Sequence, residues 1–452
     1  MKKLFHHPAY LINRCILIVR VFMKKIELHW QILIAILLAG ISGWYVNQII
    51  ASGNSNPTLL GISVLGLFDY VGTLFLNALK MIIVPLIFSS ITVGVAGIGS
   101  GGNIGRLGGR TLLFYVSTTL AAILVGLVLI NLVTPGYSSN GEPVGEMLAL
   151  DQSGEEIANV AEGRGPGDIA KVFLSMVPPN IFKAAADGQI LGVIFFAFLF
   201  GYFMTKLPKE KSESLLSFWD SVFKVIMKMT EWIMKFAPIG VYGLVATVVA
   251  EAGFEAVGPL AVFAITVTLA LLCHILIILP LLLKFIGGLS PSKFFSAMAP
   301  AMLTAFSTAS SSATLPITMD CVRDNVGVSN KVSSFVLPLG ATVNMNGTAL
   351  YECAAAMFLA QAYGLDLTFG VQFSIVFIAL LTSVGVAGVP SASLVAIAVI
   401  LGAVGLPMEA IGVLLVFDRV LDMARTSVNI FGDACCAAIV ARLEGEKTKL
   451  SV

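Results

Sequence analysis

The chain has 452 residues, 57% of them hydrophobic and only 12% charged, with a net charge of +1 and a mean hydropathy of +0.94. A soluble protein carries about twice that share of charge, which excludes a soluble globular domain and leaves a multi-span membrane protein. There is no basic, aromatic-interleaved patch to suggest a nucleic-acid partner, and the scattered cysteines form neither a metal spacing nor a disulfide framework, so no cofactor is expected.

Residues 1–20 are basic and partly apolar but lack a small-residue cleavage site. Residues 1–28 are therefore expected to form a cytoplasmic segment that can lie against the lipid surface. Runs near the roughly 20 residues needed to cross a bilayer follow at 29–51, 67–96, 111–133, Ile190–Met204, 236–250, 259–285, 332–360 and 406–440. Two further apolar stretches, 294–319 and 367–402, are broken at their centres. The first break is Ser307-Thr308-Ala309-Ser310-Ser311-Ser312 and the second Ser383-Val384-Gly385-Val386-Ala387-Gly388-Val389-Pro390. Irregular backbone is tolerated at membrane depth only inside protein or along a cavity. The expected fold is thus all-α and polytopic, with eight transmembrane helices plus two re-entrant helical hairpins whose tips meet at mid-membrane. Paired interruptions of this kind point to a transporter's binding site.

Loop charge sets the orientation. Lys2, Lys3, Arg14, Arg20, Lys24 and Lys25 place the N-terminus inside, and Arg442, Lys447 and Lys449 do the same for the C-terminus. Arg106 and Arg110, and later Lys206, Lys209 and Lys211, mark inner loops, whereas the acidic 135–167 loop is expected outside. The pattern closes only if the first hairpin enters from inside and the second from outside.

The last span carries Asp418, Asp422, Arg425, Thr426, Asn429 and Asp433 at offsets 0, 4, 7, 8, 11 and 15, which occupy one helical face. A charge at the centre of a span costs about 2.5–3.5 kcal/mol on insertion scales, so these residues face protein or a watery interior. Ion pairs knitting helices together account for Asp418 or Arg419 well enough, but three acids share one basic partner on that face. In the seventh span, Asn344-Met345-Asn346-Gly347-Thr348 reads either as a kink with satisfied amides or as unwound backbone offering oxygens to Na⁺ and a helix N-terminus to an anion. The Ser310-Ser311-Ser312 cluster invites comparison with a serine nucleophile, which needs a histidine base. Only His274 lies deep in a span, nothing ties it to Ser311, and it reads as a satisfied structural histidine. Lys224, Lys228, Glu231 and Lys235 read as snorkelling or solvated-face residues.

The runs Ser310-Ser311-Ser312-Ala313-Thr314-Leu315-Pro316, Gly340-Ala341-Thr342-Val343-Asn344-Met345-Asn346-Gly347-Thr348 and Leu421-Asp422-Met423-Ala424-Arg425-Thr426-Ser427-Val428-Asn429 resemble the glutamate/aspartate transporter family, the dicarboxylate/amino acid:cation symporters. The resemblance spans nearly the whole chain, weakly before Gly97 and strongly after Met298. It implies an elevator-type homotrimer with inverted repeats, a scaffold at 29–98 and 135–252 (the latter including the outer loop), a transport domain at 99–134 and 253–443, and a cytoplasmic tail at 444–452. By the same resemblance Arg425 and Thr348 receive the substrate's side-chain carboxylate, and Asp422 takes its amino group with Thr426 and Asn429 nearby. Ser311, Ser312 and the Val389 backbone hold the α-carboxylate. One Na⁺ site resembles Gly340, Asn344, Asn429 and Asp433. A second uses Thr342, Ser383, Val384 and Val386, and a third Tyr115, Thr118, Thr119, Asn344 and Asn346.

A buried guanidinium demands an anionic side chain, so Arg425 argues against the neutral amino acid branch. Asp422 demands a cation, which argues against the C4-dicarboxylate branch. Two departures stand out. Asn346 replaces the aspartate usual in Na⁺-coupled members, and a second arginine found near the substrate in many members is missing at Ala309 and Met423. Glu352 stands where proton-coupled animal relatives have a titrating glutamate, and it reads equally as a proton carrier or a structural hydrogen-bonding group. The expectation is an acidic amino acid symporter of a bacterial inner membrane, coupled to Na⁺ and H⁺. A purely proton-coupled glutamate/aspartate symporter, a C4-dicarboxylate symporter, an ion channel and an intramembrane serine hydrolase are the competing readings.

Overall fold

The structure is a computed structural model that describes residues 28–52, 56–59, 62–99, 105–150, 174, 176–187, 190–365, 367–383 and 393–450. The N-terminal lead-in, the later part of the acidic loop and the second break from Val384 to Pro390 lie outside the described residues, and with them the expected roles of Val384, Val386 and Val389.

The described chain is almost wholly helical: α1 (Leu28–Ala51), a two-stranded ribbon, α2 (Val64–Gly99), α3 (Gly105–Val133), α4 (Ile181–Ala186), α5 (Ile190–Met204), α6 (Lys209–Met234) and α7 (Ala237–Ala252). Then come α8 (Val257–Cys273), α9 (Leu279–Phe285), α10 (Pro291–Thr308), α11 (Ser311–Asp320), α12 (Asn330–Val343), α13 (Asn346–Ala362), α14 (Phe369–Ser383), α15 (Ser393–Val404) and α16 (Ile411–Leu443). The ribbon pairs Thr58 with Ser63 and Leu59 with Ile62, antiparallel. Among the described residues, five helical stretches are long and apolar enough to cross a membrane: α1, α2, α3, α8 through α9, and α16 with its lead-in. A sixth forms if α6 and α7, bent by 56°, are one span.

The chain divides into two compact units. The smaller comprises residues up to Asn77 together with Glu231–Gly253, so α1 packs along α7 and the first part of α2 joins them. Small residues permit the close approach: a Cβ on Gly43 would fall 2.7 Å from the Ala246 carbonyl oxygen. Asn47 Nδ2 donates to the Ala250 carbonyl (3.0 Å), and Tyr242 Oη donates to Ser42 Oγ (2.9 Å).

The larger unit is built around α13, which is buried along its entire length and packs against α3, α8, α14, α15 and α16. A helix apolar on every side belongs in a core, but the polar side chains on this one must find partners inside it. Gln361 does so by donating from Nε2 to the Ile130 carbonyl (3.3 Å) and accepting from the Gly136 amide (3.1 Å).

The first interrupted stretch is α10–α11. Helix α10 ends at Ala309 in the left-handed region (φ 49°, ψ 36°), and Ser310 caps α11 by accepting the Ala313 amide at 3.2 Å. A β-carbon in that region costs about 1–2 kcal/mol, so the surroundings hold the turn in place. A π-turn at Cys321–Val326 follows α11, and Asn325 Nδ2 donates to the Ala297 carbonyl (2.9 Å), so the second arm folds back along α10. Helices α14 and α15 pack against each other in the same manner on either side of the second break.

Residues 332–360, expected as a span kinked or unwound at Asn344–Thr348, form two helices. Asn344 (φ −122°, ψ 78°) and Met345 (φ −106°, ψ 67°) are not helical and separate α12 from α13. His274 also departs from expectation. It is fully buried in the π-turn between α8 and α9, and neither ring nitrogen has a hydrogen-bond partner among the described residues. Lys224 pairs with Asp220 at 2.6 Å on the exposed face of amphipathic α6.

Candidate functional site

Spacings of three and four residues bring one face of α16 into the interior, and Asp418, Asp422, Arg425, Thr426, Asn429 and Asp433 are all buried there. The Arg425 side chain is wholly inaccessible. Its Nη2 donates to Asp418 Oδ1 (3.0 Å) and to Asp422 Oδ1 (2.9 Å). Its guanidinium lies 3.8 Å above the Tyr351 ring centroid. Nε and Nη1 have no hydrogen-bond partner among the described residues. Arginine's donors form a rigid fork suited to a carboxylate, so these two nitrogens give the site unused capacity for an anion.

A second guanidinium reaches the same carboxylate. Arg419, 4% exposed, donates from Nη1 to Asp422 Oδ2 at 3.4 Å. The face therefore holds two arginines for its three aspartates, where the sequence counted one.

Asn429 ties α16 to the start of α13. Its Oδ1 accepts from the Gly347 amide (2.8 Å) and the Thr348 amide (3.3 Å), and its Nδ2 donates to Thr348 Oγ1 (3.0 Å). Gly347 permits this approach, because a Cβ there would fall 2.7 Å from the Arg425 carbonyl oxygen. One turn further along α16, Asp433 Oδ1 accepts from Asn344 Nδ2 at 2.8 Å. Asn344 Oδ1 accepts from Thr118 (3.4 Å) and Thr119 (3.3 Å), and Thr119 Oγ1 also donates to Asn346 Oδ1 (2.9 Å). Tyr115 Oη donates to the Val336 carbonyl (2.7 Å) and abuts Gly340, where a Cβ would fall 2.5 Å from Asp433 Oδ1. Oxygens from α3 and α13 thus gather about Asn344, itself bonded to Asp433 of α16, and together they make a donor set of the hard kind that suits Na⁺.

Glu352 sits apart, wholly buried on α13. Its Oε2 accepts from Thr382 Oγ1 on α14 (2.9 Å), and Oε1 has no partner among the described residues.

Not every expected residue joins these clusters. Ser311 is buried, but Ser312 is exposed, because the α11 helix turns it outward. The hydroxyls of Thr342 and Ser383 bond within their own helices, to the carbonyls of Leu339 (3.0 Å) and Leu380 (2.8 Å). Thr426 Oγ1 likewise bonds back to the Asp422 carbonyl (2.8 Å). Tyr351 and Thr382 were not anticipated, and Arg419 was expected only as an ion-pairing residue outside the site. Tyr351 follows Thr348 by three residues on α13, the same-face spacing that could have exposed it.

Long apolar helices enclosing a buried set of charged side chains define a membrane transporter. The chain belongs to the Sodium:dicarboxylate symporter family, which its residues 28–443 match. It is 34% identical over 420 residues to the proton/glutamate-aspartate symporter of Escherichia coli, covering 93% of each chain. It is 35% identical to the proton/sodium-glutamate symport protein of Bacillus caldotenax, covering 94% of this chain and 96% of that one. Excitatory amino acid transporter 3 of the mouse is 34% identical, with coverage of 92% and 86%. These relatives are transporters, and the protein is a transporter rather than an enzyme.

Proposed function

We propose that the protein takes up L-aspartate or L-glutamate in symport with Na⁺, with a contribution from H⁺. The observation that carries this reading is the buried Arg425, held by Asp418 and Asp422 through one nitrogen while two others have no partner among the described residues. The substrate's side-chain carboxylate takes those nitrogens, assisted by Thr348. Asp422 takes the ammonium, beside Thr426 and Asn429. Ser311 and the Ser312 region, with the backbone at Val389, receive the α-carboxylate.

Na⁺ takes the oxygens of Asp433, Asn344, Asn429 and Gly340. Thr342, Ser383, Val384 and Val386 form a second site at the other hairpin. Tyr115, Thr118, Thr119, Asn344 and Asn346 form a third, weakened because an amide at 346 brings no charge. Glu352 carries the proton, with Thr382 accepting or donating as the carboxyl changes state. The relatives' names, which include both proton and sodium, support mixed coupling. A neutral Asn346 together with a buried Glu352 elsewhere on α13 favours one second reading, a purely proton-coupled symporter.

Around this site we place eight spans and two re-entrant hairpins in a multi-pass protein of a bacterial inner membrane, both termini cytoplasmic. A transport domain of 99–134 and 253–443 moves as an elevator against a scaffold of 29–98 and 135–252, and three copies assemble. Uptake of labelled aspartate into proteoliposomes, driven uphill by an imposed Na⁺ or H⁺ gradient alone, tests the function. Accumulation under neither gradient sinks it, and accumulation under H⁺ with none under Na⁺ establishes the second reading.

A further inference from the structure

Residues 444–450 leave α16 and return to the packed chain. Glu446 is fixed to the helix end through its backbone: its amide donates to the Ala441 carbonyl (2.9 Å), and its carbonyl accepts from Arg442 Nη1 (3.3 Å). Its carboxylate turns to Ser329, with Oε2 accepting from the amide (2.9 Å) and Oε1 from the hydroxyl (2.5 Å). Further on, the Lys449 amide donates to the Val326 carbonyl (2.9 Å) and its Nζ to the Asp324 carbonyl (2.6 Å). The Leu450 carbonyl accepts from the Ser290 amide (3.0 Å). Gly327, at φ 87°, admits the strap this closely, since a Cβ there would fall 2.9 Å from Lys449 Cγ. The strap thus stitches the end of α16 to both ends of the α10–α11 hairpin.

The two arms are held differently. Helix α10 is fastened to α16 along its length, by Phe295 stacked on Phe431 (centroids 4.4 Å apart) and by Ser427 Oγ donating to the Met302 carbonyl (3.1 Å). Helix α11 begins at Ser311 and runs into the π-turn at Cys321–Val326, and there the strap takes hold. At 1.5 Å per residue, Ser311 and Val326 stand about 22 Å apart. A binding site holds its groups to within about 0.5 Å, and a helix passes an axial slip at one end on to the other. We propose that the strap, with Glu446 as its central positioning residue, sets the axial place of α11 and so holds Ser311 where the substrate's α-carboxylate meets it. The inference rests on the substrate reading above and adds to it a residue far from the ligand.

The test is uptake of labelled L-aspartate into proteoliposomes by wild type, Ser311→Ala, a chain ending at Gly445, and the last two changes combined. Ser311→Ala raises the KM about tenfold, the share of one charge-assisted hydrogen bond. The shortened chain raises it several-fold, with the maximal rate within about twofold of wild type. In the Ser311→Ala background the shortening adds nothing, because residues that act through one another are not additive. Glu446→Ala behaves as the shortened chain does, and Glu446→Gln, which keeps an acceptor for the Ser329 amide, recovers most of the affinity. Lys447→Ala, at an exposed position of the same strap, leaves uptake unchanged. A loss that adds in full to that of Ser311→Ala, a loss in maximal rate alone, or no loss in either strap variant overturns the proposal. If the shortened chain does not assemble, Glu446→Ala decides by the same cycle. The underlying substrate reading fails by a different result, a Ser311→Ala variant indistinguishable from wild type, and the proposal falls with it.

Discussion

The Arg425 guanidinium lies over the Tyr351 ring, 3.8 Å from its centroid, with both side chains fully buried. A desolvated cation–π contact is worth about 2 kcal/mol, which is roughly a factor of 30 in affinity. Tyr351→Phe keeps the ring and leaves the aspartate KM within about threefold, whereas Tyr351→Leu raises it roughly 30-fold. Initial rates of aspartate uptake measure both. A Leu variant indistinguishable from wild type would show that the ring does not steady the guanidinium.

Arg425→Thr abolishes aspartate and glutamate uptake and admits small neutral amino acids such as alanine. The same exchange removes the ion-pair partner shared by Asp418 and Asp422. Breaking a buried pair costs about 3–5 kcal/mol, so the single variant is poorly expressed, and adding Asp418→Asn restores its yield. Competition between labelled alanine and aspartate reads the specificity. Undiminished aspartate affinity would remove Arg425 from the substrate site.

Gly340→Ala places a methyl 2.5 Å from Asp433 Oδ1 and 2.7 Å from Tyr115 Oη. Neither neighbour is free to yield, since Tyr115 is bonded to Val336 and Asp433 to Asn344. The half-saturating Na⁺ concentration rises about tenfold or more. Gly94→Ala is the control, because its methyl meets only Val343 Cγ2 at an ordinary 3.8 Å. Equal Na⁺ dependence in the two variants would dissociate Asp433 from cation binding.

Coupling is read by imposing Na⁺ and H⁺ gradients separately. Glu352→Gln loses the proton-driven component and keeps the Na⁺-driven one. Asn346→Asp supplies a charge beside Thr119 and Asn344 and steepens the Na⁺ dependence. Proton-driven uptake that survives Glu352→Gln would assign the proton elsewhere.

Outside the spans, Glu444 is held below the ordinary carboxylate value of 4.5, first by its hydrogen bond to Arg106. Arg106 and Arg110 both pair with it, at 2.8 and 2.6 Å. A lowered value in the folded state means the pairing stabilises fully above that ordinary value and fades as pH falls through the lower, folded one. Thermal unfolding in detergent is therefore more acid-sensitive in wild type than in Glu444→Gln, and the difference shrinks at high salt. Parallel pH profiles would discount the clamp.

Much of this site was legible because helical geometry projects sequence onto faces. The 418–433 stripe needs only the 3.6-residue period, and the α12–α13 break was one of two readings open for a run that holds Asn, Gly and Thr in mid-span. Tyr351 carried only the weak signal of its spacing from Thr348, since one aromatic in a buried helix looks like core until a neighbouring helix sets a guanidinium over it. Arg419 was read as an ion-pairing residue and left out of the site for a related reason: it sits at the margin of the stripe, and its bond to Asp422 depends on a rotamer. The π-turn at His274 was not anticipated, whereas the break between α6 and α7, bent by 56°, falls where Pro238 enters the first turn of α7 and the expected span 236–250 begins.

The gap at Asn344 and Met345 sets the carbonyl end of α12 and the amide end of α13 close together. Helix ends carry about half a charge each, negative at the carbonyl end and positive at the amide end. A cation beside Gly340 and Asn344 and an anion beside Thr348 would each be favoured there, and each would feel the other's field across Asn429. Such attraction is reciprocal by thermodynamic necessity. By whatever factor the ion tightens the hold on the amino acid, the amino acid tightens the hold on the ion, and no helix has to shift for that linkage to operate.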